Sequence, residues 1–502
     1  MGHLSRRQFL ASTAAAGILG AVPSPLISGQ PALALPATTI RVGNRVIEVN
    51  GRPATVFGLT QPDGSHGLIM ESGKSFRVRL ENQLEEETLI HWHGLTPPWQ
   101  QDGVPHLSQS PLAPGATHDY DFPLTQPGTN WMHSHHGLQE QRLMAAPLIV
   151  RDSAGTSADI QEVVVLFHDF TFRDPDEILA GLKAGGHGVA GHGTAEHGPG
   201  LLRRLMESVM PMRGMHHGAG HGRMDHGAAG GAIMMHLHDV EYDAFLANDR
   251  TFHDPQVFRV ERSGRVRLRL INGATATNFW LDLGRLEGRL IAVDGMPVVP
   301  VTGRRFEFAT AQRLDIVLEL PRGEGAWPIF AVREGEWART GFLLATSGGK
   351  VEKVTGETQS AANPVGLALE RRLQAAQPPE PRQPDRRHTV TITEGPGYVW
   401  MLNGAMHGGH TPLEVGVGER VEITFNDQTS MAHPMHLHGH HFQVVAINGE
   451  RFAGALRDTV LVPARGSVTI AFDADNPGRW ALHCHHLYHM AAGMMTTLEY
   501  RS

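Results

Sequence analysis

The chain holds a single cysteine, Cys484, in 502 residues. That excludes an intramolecular disulfide, zinc modules built on several cysteines, and iron–sulfur clusters held by four thiolates. Lysine is scarce and the net charge is −8, so no basic footprint for nucleic acid is visible. Beyond the N-terminal segment, no stretch is apolar enough to span a bilayer as a helix. What the chain has in abundance points elsewhere. Its 58 glycines and 32 prolines imply many turns, as in all-β folds. Its 32 histidines far exceed ordinary usage, and histidine is the commonest metal ligand. The length allows two to four domains with a large buried core.

The N-terminus "SRRQFLASTAAAGILGAV" pairs Arg6 with Arg7 ahead of a modestly apolar run, and "ALA" at Ala32–Ala34 offers small residues for cleavage. This resembles a twin-arginine export signal over residues 1–34. It implies passage through the twin-arginine machinery to the periplasm and a mature chain, without a membrane span, that begins near Leu35.

Three later segments resemble one another: "SFRVRLENQLEEETLIHWHGL" from Ser75, "RVRLRLINGATATNFWLDL" from Arg265 and "RVEITFNDQTSMAHPMHLHGHHFQVVAINGE" from Arg420. Each runs from an alternating strand through a polar turn into a second strand, the mark of duplicated domains. A second repeat, "PGTNWMHSHHG" from Pro127 and "PGRWALHCHHL" from Pro477, links only the outer two copies and sets Ser134 where Cys484 stands. The expected fold is therefore all-β, with three β-sandwich domains at 38–155, 156–350 and 386–502. The Pro-, Gln- and Ala-rich stretch 351–385 reads as a linker, and the Gly-, His- and Met-rich stretch 185–238 as an insertion in a structural middle domain.

Four His-x-His pairs stand in the outer domains: His91/His93, His133/His135, His436/His438 and His483/His485. On a strand, residues i and i+2 share a face roughly 7 Å apart, so eight imidazoles can converge where these domains meet. Cys484, between His483 and His485, must face the other way and can bind a different metal. His489 and Met494 follow in the turn after the strand, and His433 precedes the pair at His436. Two histidines, a thiolate and an axial thioether form the ligand set of a blue copper electron-transfer site. Cys484 is then a short covalent wire between two metal sites.

The motifs "HWHGL", "HSHHG", "HPMHLHG" and "HCHHLYHMAAGM" resemble those of the three-domain multicopper oxidases over nearly the whole mature chain. The resemblance implies cupredoxin-like Greek-key sandwiches and four copper ions. His433, Cys484, His489 and Met494 would hold the type 1 copper. His91 and His436 would hold the type 2 copper, and His93, His133, His135, His438, His483 and His485 the type 3 pair. The neighbouring His136, His440, His441 and His486 are expected beside these ligands or on the surface. Substrate oxidation at type 1 would drive four-electron reduction of O2 to water. Asp102 in "PPWQQDGVP" matches the family's acidic residue near the cluster and would relay protons. Some relatives carry an acid directly after the second type 1 histidine; here that position is Met490. An axial thioether lowers the potential relative to Leu or Phe and favours easily oxidised donors, Cu(I) or electron-rich phenols. Thioethers such as Met206, Met210, Met212, Met215 and Met224 in the insertion suit Cu(I) and point to copper collection in copper tolerance. The competing class is a copper-storage or cell-envelope scaffold protein. A copper nitrite reductase is a weaker rival, because it lacks the eight-histidine cluster.

Overall fold

The computed structural model describes residues 37–152, 159–185 and 237–501, and the chain from Ala37 onward forms one compact unit. The expected export signal, and all but the ends of the Met- and His-rich segment, lie outside these residues. No helix among the described residues is long and apolar enough to cross a membrane.

Strands dominate and pair into six sheets. The first two sheets share one core: Ile40, Phe76, Val78 and Tyr120 from one meet Leu68, Met132, Leu148 and Val150 from the other. A six- and a five-stranded sheet in the middle of the chain share a second core, and a seven- and a five-stranded sheet near the C-terminus share a third. Burial of the inward-facing side chains drives each pairing. In Ser75–Asn82, Phe76, Val78, Leu80 and Asn82 are buried, one residue in two, and each full apolar burial contributes about 1.5–3 kcal/mol.

The three sequence repeats occupy one structural place. Ser75–Asn82, Arg265–Asn272 and Arg420–Asp427 each run parallel to the first strand of their unit, which are Thr38–Val49, Ile160–Phe170 and Arg386–Gly395. Each also pairs antiparallel with a later strand of its own sheet. The polar residue that closes each repeat does the same work. Asn82, Asn272 and Asp427 accept a hydrogen bond through Oδ1 from the backbone two residues on, at Leu84, Ala274 and Thr429. Such an Asx turn ends the strand and sends the chain toward the opposite sheet.

The stretch 351–385, expected as a linker, is packed. Leu369 and Leu373 enter the middle core, Val365 is buried, and Glu370 pairs with Arg457. Apolar residues at these positions strap the connection to the sandwiches instead of leaving it in solvent.

Candidate metal centres

The His-x-His pairs sit at strand ends and not along strands. His91, His133 and His483 lie in the last two residues of their strands and His436 is next to last in its own, whereas His93, His135, His438 and His485 lie just beyond. The chain turns at once after two of the pairs. Gly94 (φ 93°) and Gly439 (φ 68°) hold left-handed conformations, and a Cβ there would meet Asn130 Oδ1 at 2.3 Å and the Trp480 ring at 2.4 Å. Only glycine satisfies both demands, which explains the final residue of "HWHG" and "HLHG". The second imidazole of the first pair, His93, presents its other nitrogen.

That difference shows in the hydrogen bonding. His91 Nε2, His93 Nδ1, His133 Nε2, His436 Nε2 and His485 Nε2 are buried without a hydrogen-bond partner among the described residues. His135, His438 and His483 bring their Nε2 atoms together, at 3.3 Å for His135–His483 and 2.9 Å for His438–His483. The opposite nitrogens of five of these rings are anchored by donation to acceptors. His91 Nδ1 donates to Asp102 O (2.9 Å), His436 Nδ1 to Asp458 O (2.8 Å) and His483 Nδ1 to Cys484 O (2.9 Å). His438 Nδ1 donates to Asp102 Oδ2 (2.8 Å) and His93 Nε2 to Asp458 Oδ1 (3.1 Å). Anchoring one ring nitrogen fixes the tautomer and aims the other lone pair inward. The inward nitrogens form sets within 4.8 Å: His91/His93/His436, His93/His133/His485 and His135/His438/His483. Buried nitrogens facing one another without protons between them are a donor set for metal ions, and imidazole suits copper.

Cys484 faces the other way, as the strand alternation requires. Its Sγ lies 3.7 Å from His433 Nδ1 and 3.8 Å from His489 Nδ1, and those two nitrogens are 3.2 Å apart. Met494 is fully buried in the same core. His489 and Met494 are held by a short helix, Leu487–Ala491, and the residues after it, rather than by a plain turn. The outer nitrogens are again anchored, His433 Nε2 at Thr429 Oγ1 (2.8 Å) and His489 Nε2 at Asp239 Oδ2 (2.8 Å). Trp400 stacks on His489 with ring centroids 3.9 Å apart. Burial pushes the Cys484 thiol well up, so it is neutral until a metal displaces its proton.

Asp102, 1% exposed, bridges His91 and His438 and so joins the first and last sandwiches. The flanking histidines divide. His486 is buried and stacks on His489 at 3.7 Å, and His440 is buried and meets Tyr500 Oη at 2.6 Å. His136 and His441 are half-buried. Three buried acids escaped the sequence reading: Asp239, Glu140 and Asp458. Asp458 offered a signal, an acid inside the apolar run "GALRDTVLVP". Asp239 offered none, at the end of a segment without strand periodicity and 250 residues from His489. Through Asp239 the middle unit contacts the Cys484 centre at His489.

The first sandwich retains the frame of the Cys484 centre without its ligands. Ile90 and His91 pair with Ser134 and His133 as Met435 and His436 pair with Cys484 and His483. Ser134 N donates to Met144 O as Cys484 N does to Met494 O. His136 N donates to Ser134 Oγ (3.1 Å) as His486 N does to Cys484 Sγ (3.4 Å). Thr88, Ser134, Gln139 and Met144 thus stand where His433, Cys484, His489 and Met494 stand, and Thr88 Oγ1 (2.8 Å) and Ser134 Oγ (2.7 Å) both donate to Gln139 Oε1. The combined substitution Thr88→His, Ser134→Cys and Gln139→His is expected to add one bound copper and a second blue chromophore. Metal analysis and the visible spectrum of the triple variant check this.

Burial, reinforced by mutual repulsion, holds His93, His133, His135, His436, His438 and His485 well below the ordinary imidazole value and brings His483 down to about 3. Below pH ~6.5 the unfolded chain therefore binds more protons than the folded one, and stability rises with pH through that window. The metal-free protein is expected to lose thermal stability steadily from pH 7 to pH 5, and the copper-loaded protein, more stable throughout, to lose at least as much, because its ligands must also stay unprotonated. Melting curves of both forms across that range check it.

Comparison with known proteins agrees with this arrangement. Family profiles described as multicopper oxidase match residues 54–155, 214–346 and 378–502. The multicopper oxidase MmcO of Mycobacterium tuberculosis is 30% identical over 434 residues, covering 85% of this chain and 80% of that protein. Copper resistance protein A of Escherichia coli is 25% identical and covers 98% of both chains. Laccase-1 of Botryotinia fuckeliana is 25% identical, covering 90% of this chain and 80% of its own. The same cupredoxin-like fold occurs in the multi-copper oxidase of Pseudomonas thermotolerans, with a TM-score of 0.66 at 23% identity, covering 92% of this chain and 98% of that one. With the imidazole sets, the buried thiol and this likeness along nearly its whole length in agreement, the chain belongs to the multicopper oxidase family of copper-dependent oxidoreductases.

Proposed function

We propose that this protein is an exported oxidase that couples one-electron oxidation of Cu(I), electron-rich phenols or both to reduction of dioxygen to two waters, and that it serves copper tolerance in the periplasm. The observation that carries the reading is the opposite facing of Cys484 and its two neighbours. Its sulfur joins His433 and His489, while His483 and His485 join the imidazole pocket. In this reading His433, Cys484, His489 and Met494 hold type 1 copper, His91 and His436 type 2, and the remaining six histidines the type 3 pair. Copper there supplies the redox chemistry, four ions cycling between +1 and +2 matching the four electrons that dioxygen takes.

The chain's own residues supply the rest. The peptide links from Cys484 to His483 and His485 give the shortest covalent path between the two centres. Asp102 stands at the pocket wall with Oδ1 3.2 Å from His91 Nδ1 and Oδ2 at His438 Nδ1, placed to pass a proton and to orient water. Asp239 tethers the outer nitrogen of His489 and also accepts from Tyr398 Oη at 2.5 Å. Asp239 follows directly on the Met- and His-rich segment. That adjacency supports Cu(I) collected by the segment being handed toward His489.

Oxygen uptake by the copper-loaded protein tests the proposal. Four donor equivalents should be consumed per dioxygen without release of peroxide; binding of copper with no uptake would favour the storage alternative. Removal of residues 187–236, which keeps Asp239, is expected to abolish Cu(I) oxidation and spare phenol oxidation. Unchanged Cu(I) oxidation would remove the segment from the account.

A further inference from the structure

Glu140 is a second acid at the imidazole pocket, from an unexpected side. It lies in the short turn Gln139–Arg142 and is 2% exposed. Its Oε2 is 3.0 Å from His133 Nδ1, which also donates to Ser134 O at 3.1 Å, and its Oε1 is 4.0 Å from His485 Nδ1. Oε1 has no hydrogen-bond partner among the described residues. One carboxyl therefore faces the rear nitrogens of two imidazoles, one from each outer sandwich. The front nitrogens of the same two rings, Nε2 in both, converge with His93 Nδ1.

The repeat gives this position a meaning. Gln139 matches His489, so Glu140 matches Met490, the place where some relatives carry an acid. Met490 packs against the Val104, Ala481 and Met495 cluster and the Leu138, Leu487 and Tyr488 cluster. Its thioether offers no carboxyl on that side. The acid stands instead at the equivalent place in the first sandwich, behind the other half of the pocket.

We propose that Glu140 is a positioning residue for the set His93, His133 and His485. By facing His133 and His485 together it favours the Nδ1-protonated form of both rings, with Ser134 O sharing that task at His133, and holds the two domain halves together around the metal. A carboxylate behind an imidazole strengthens the ligating nitrogen and orients the ring. Asp458 does the same for His93, so all three imidazoles of this set have a carboxylate behind them. The proposal rests on the copper reading above.

The test compares the full-length, copper-loaded parent with Glu140→Leu and Glu140→Gln, reading copper per chain and its resistance to a competing chelator. The blue colour of the Cys484 centre is the internal control. Glu140→Leu is expected to keep the blue colour while its pocket copper is lost to chelator about 10–100-fold more readily. Glu140→Gln, which keeps an acceptor oxygen, should recover part of that resistance. If Glu140→Leu does not fold, Glu140→Gln alone decides, with a partial loss expected. Pocket copper held by these variants as firmly as by the parent would overturn the proposal. A parent that is blue yet holds no copper at the imidazoles would instead overturn the reading on which it rests.

Discussion

Replacing Cys484 with serine is expected to yield a folded, colourless protein that keeps copper at the imidazole pocket and loses donor oxidation by more than about 100-fold, beyond what loss of an outer-shell partner costs. Cys484 is the only thiol in the chain and lies within 4 Å of both His433 and His489. Serine removes the soft ligand, and its hydroxyl does not ionise to replace it. The fold should tolerate the change, because serine already occupies the matching strand position. At Ser134, Oγ accepts from His136 N as Sγ accepts from His486 N. Copper analysis, the visible spectrum and turnover of the variant check the prediction together. Retained blue colour or retained turnover would mean that the thiol is not the entry ligand.

The second large effect concerns stability. Arg313 is fully buried and donates through Nη1 to Asp458 Oδ1 at 2.7 Å, with a further contact from Nη2 to Asp458 Oδ2. It also donates to Thr129 O at 3.2 Å, and its backbone N donates to Asp294 Oδ1 at 2.9 Å. Asp294 in turn receives Arg457 Nε at 2.9 Å, and Arg457 pairs with Glu370. The series joins all three sandwiches and the connecting strap, and it ends at His93 and His436 through Asp458. Arg313→Met removes the cation between two buried acids. Breaking a buried pair from one side costs about 3–5 kcal/mol because a charge is left uncompensated. Unfolding of the metal-free variant should shift accordingly, and its pocket copper should weaken as Asp458 loses its anchor. By contrast, Arg79→Met breaks the exposed pair with Asp119 and should change little.

The contrast between these predictions separates what the sequence carries from what it hides. The opposite facing of Cys484 and His483 was legible because strand alternation converts spacing into direction, whereas the second histidine of each pair lies past the end of its strand; the triple repeat was legible because the first strand of each copy closes on the same Asx turn. The acids were not. Asp239 reaches His489, and Asp458 reaches His93, across 250 and 365 residues. An acid that acts only through another side chain imposes no periodicity on its own segment. Glu140 becomes legible once Gln139 is set on His489, a match that follows from setting Ser134 on Cys484 and that the backbone pairing at Ser134 supports. The packing of the connecting stretch was hidden for a related reason: composition marks the absence of a strand, whereas Leu369 and Leu373 decide whether such a segment packs.

The central claim is that the Cys484 thiol faces one metal centre while its neighbours His483 and His485 face, with six further imidazoles, a separate one. The direct test is a crystal of the copper-loaded protein measured at the copper absorption edge. Four anomalous peaks are expected, one among His433, Cys484 and His489 and three within the imidazole pocket lined by His91, His93, His133, His135, His436, His438, His483 and His485. Fewer peaks in the pocket, or one peak bound by Cys484 together with His483 or His485, would contradict it.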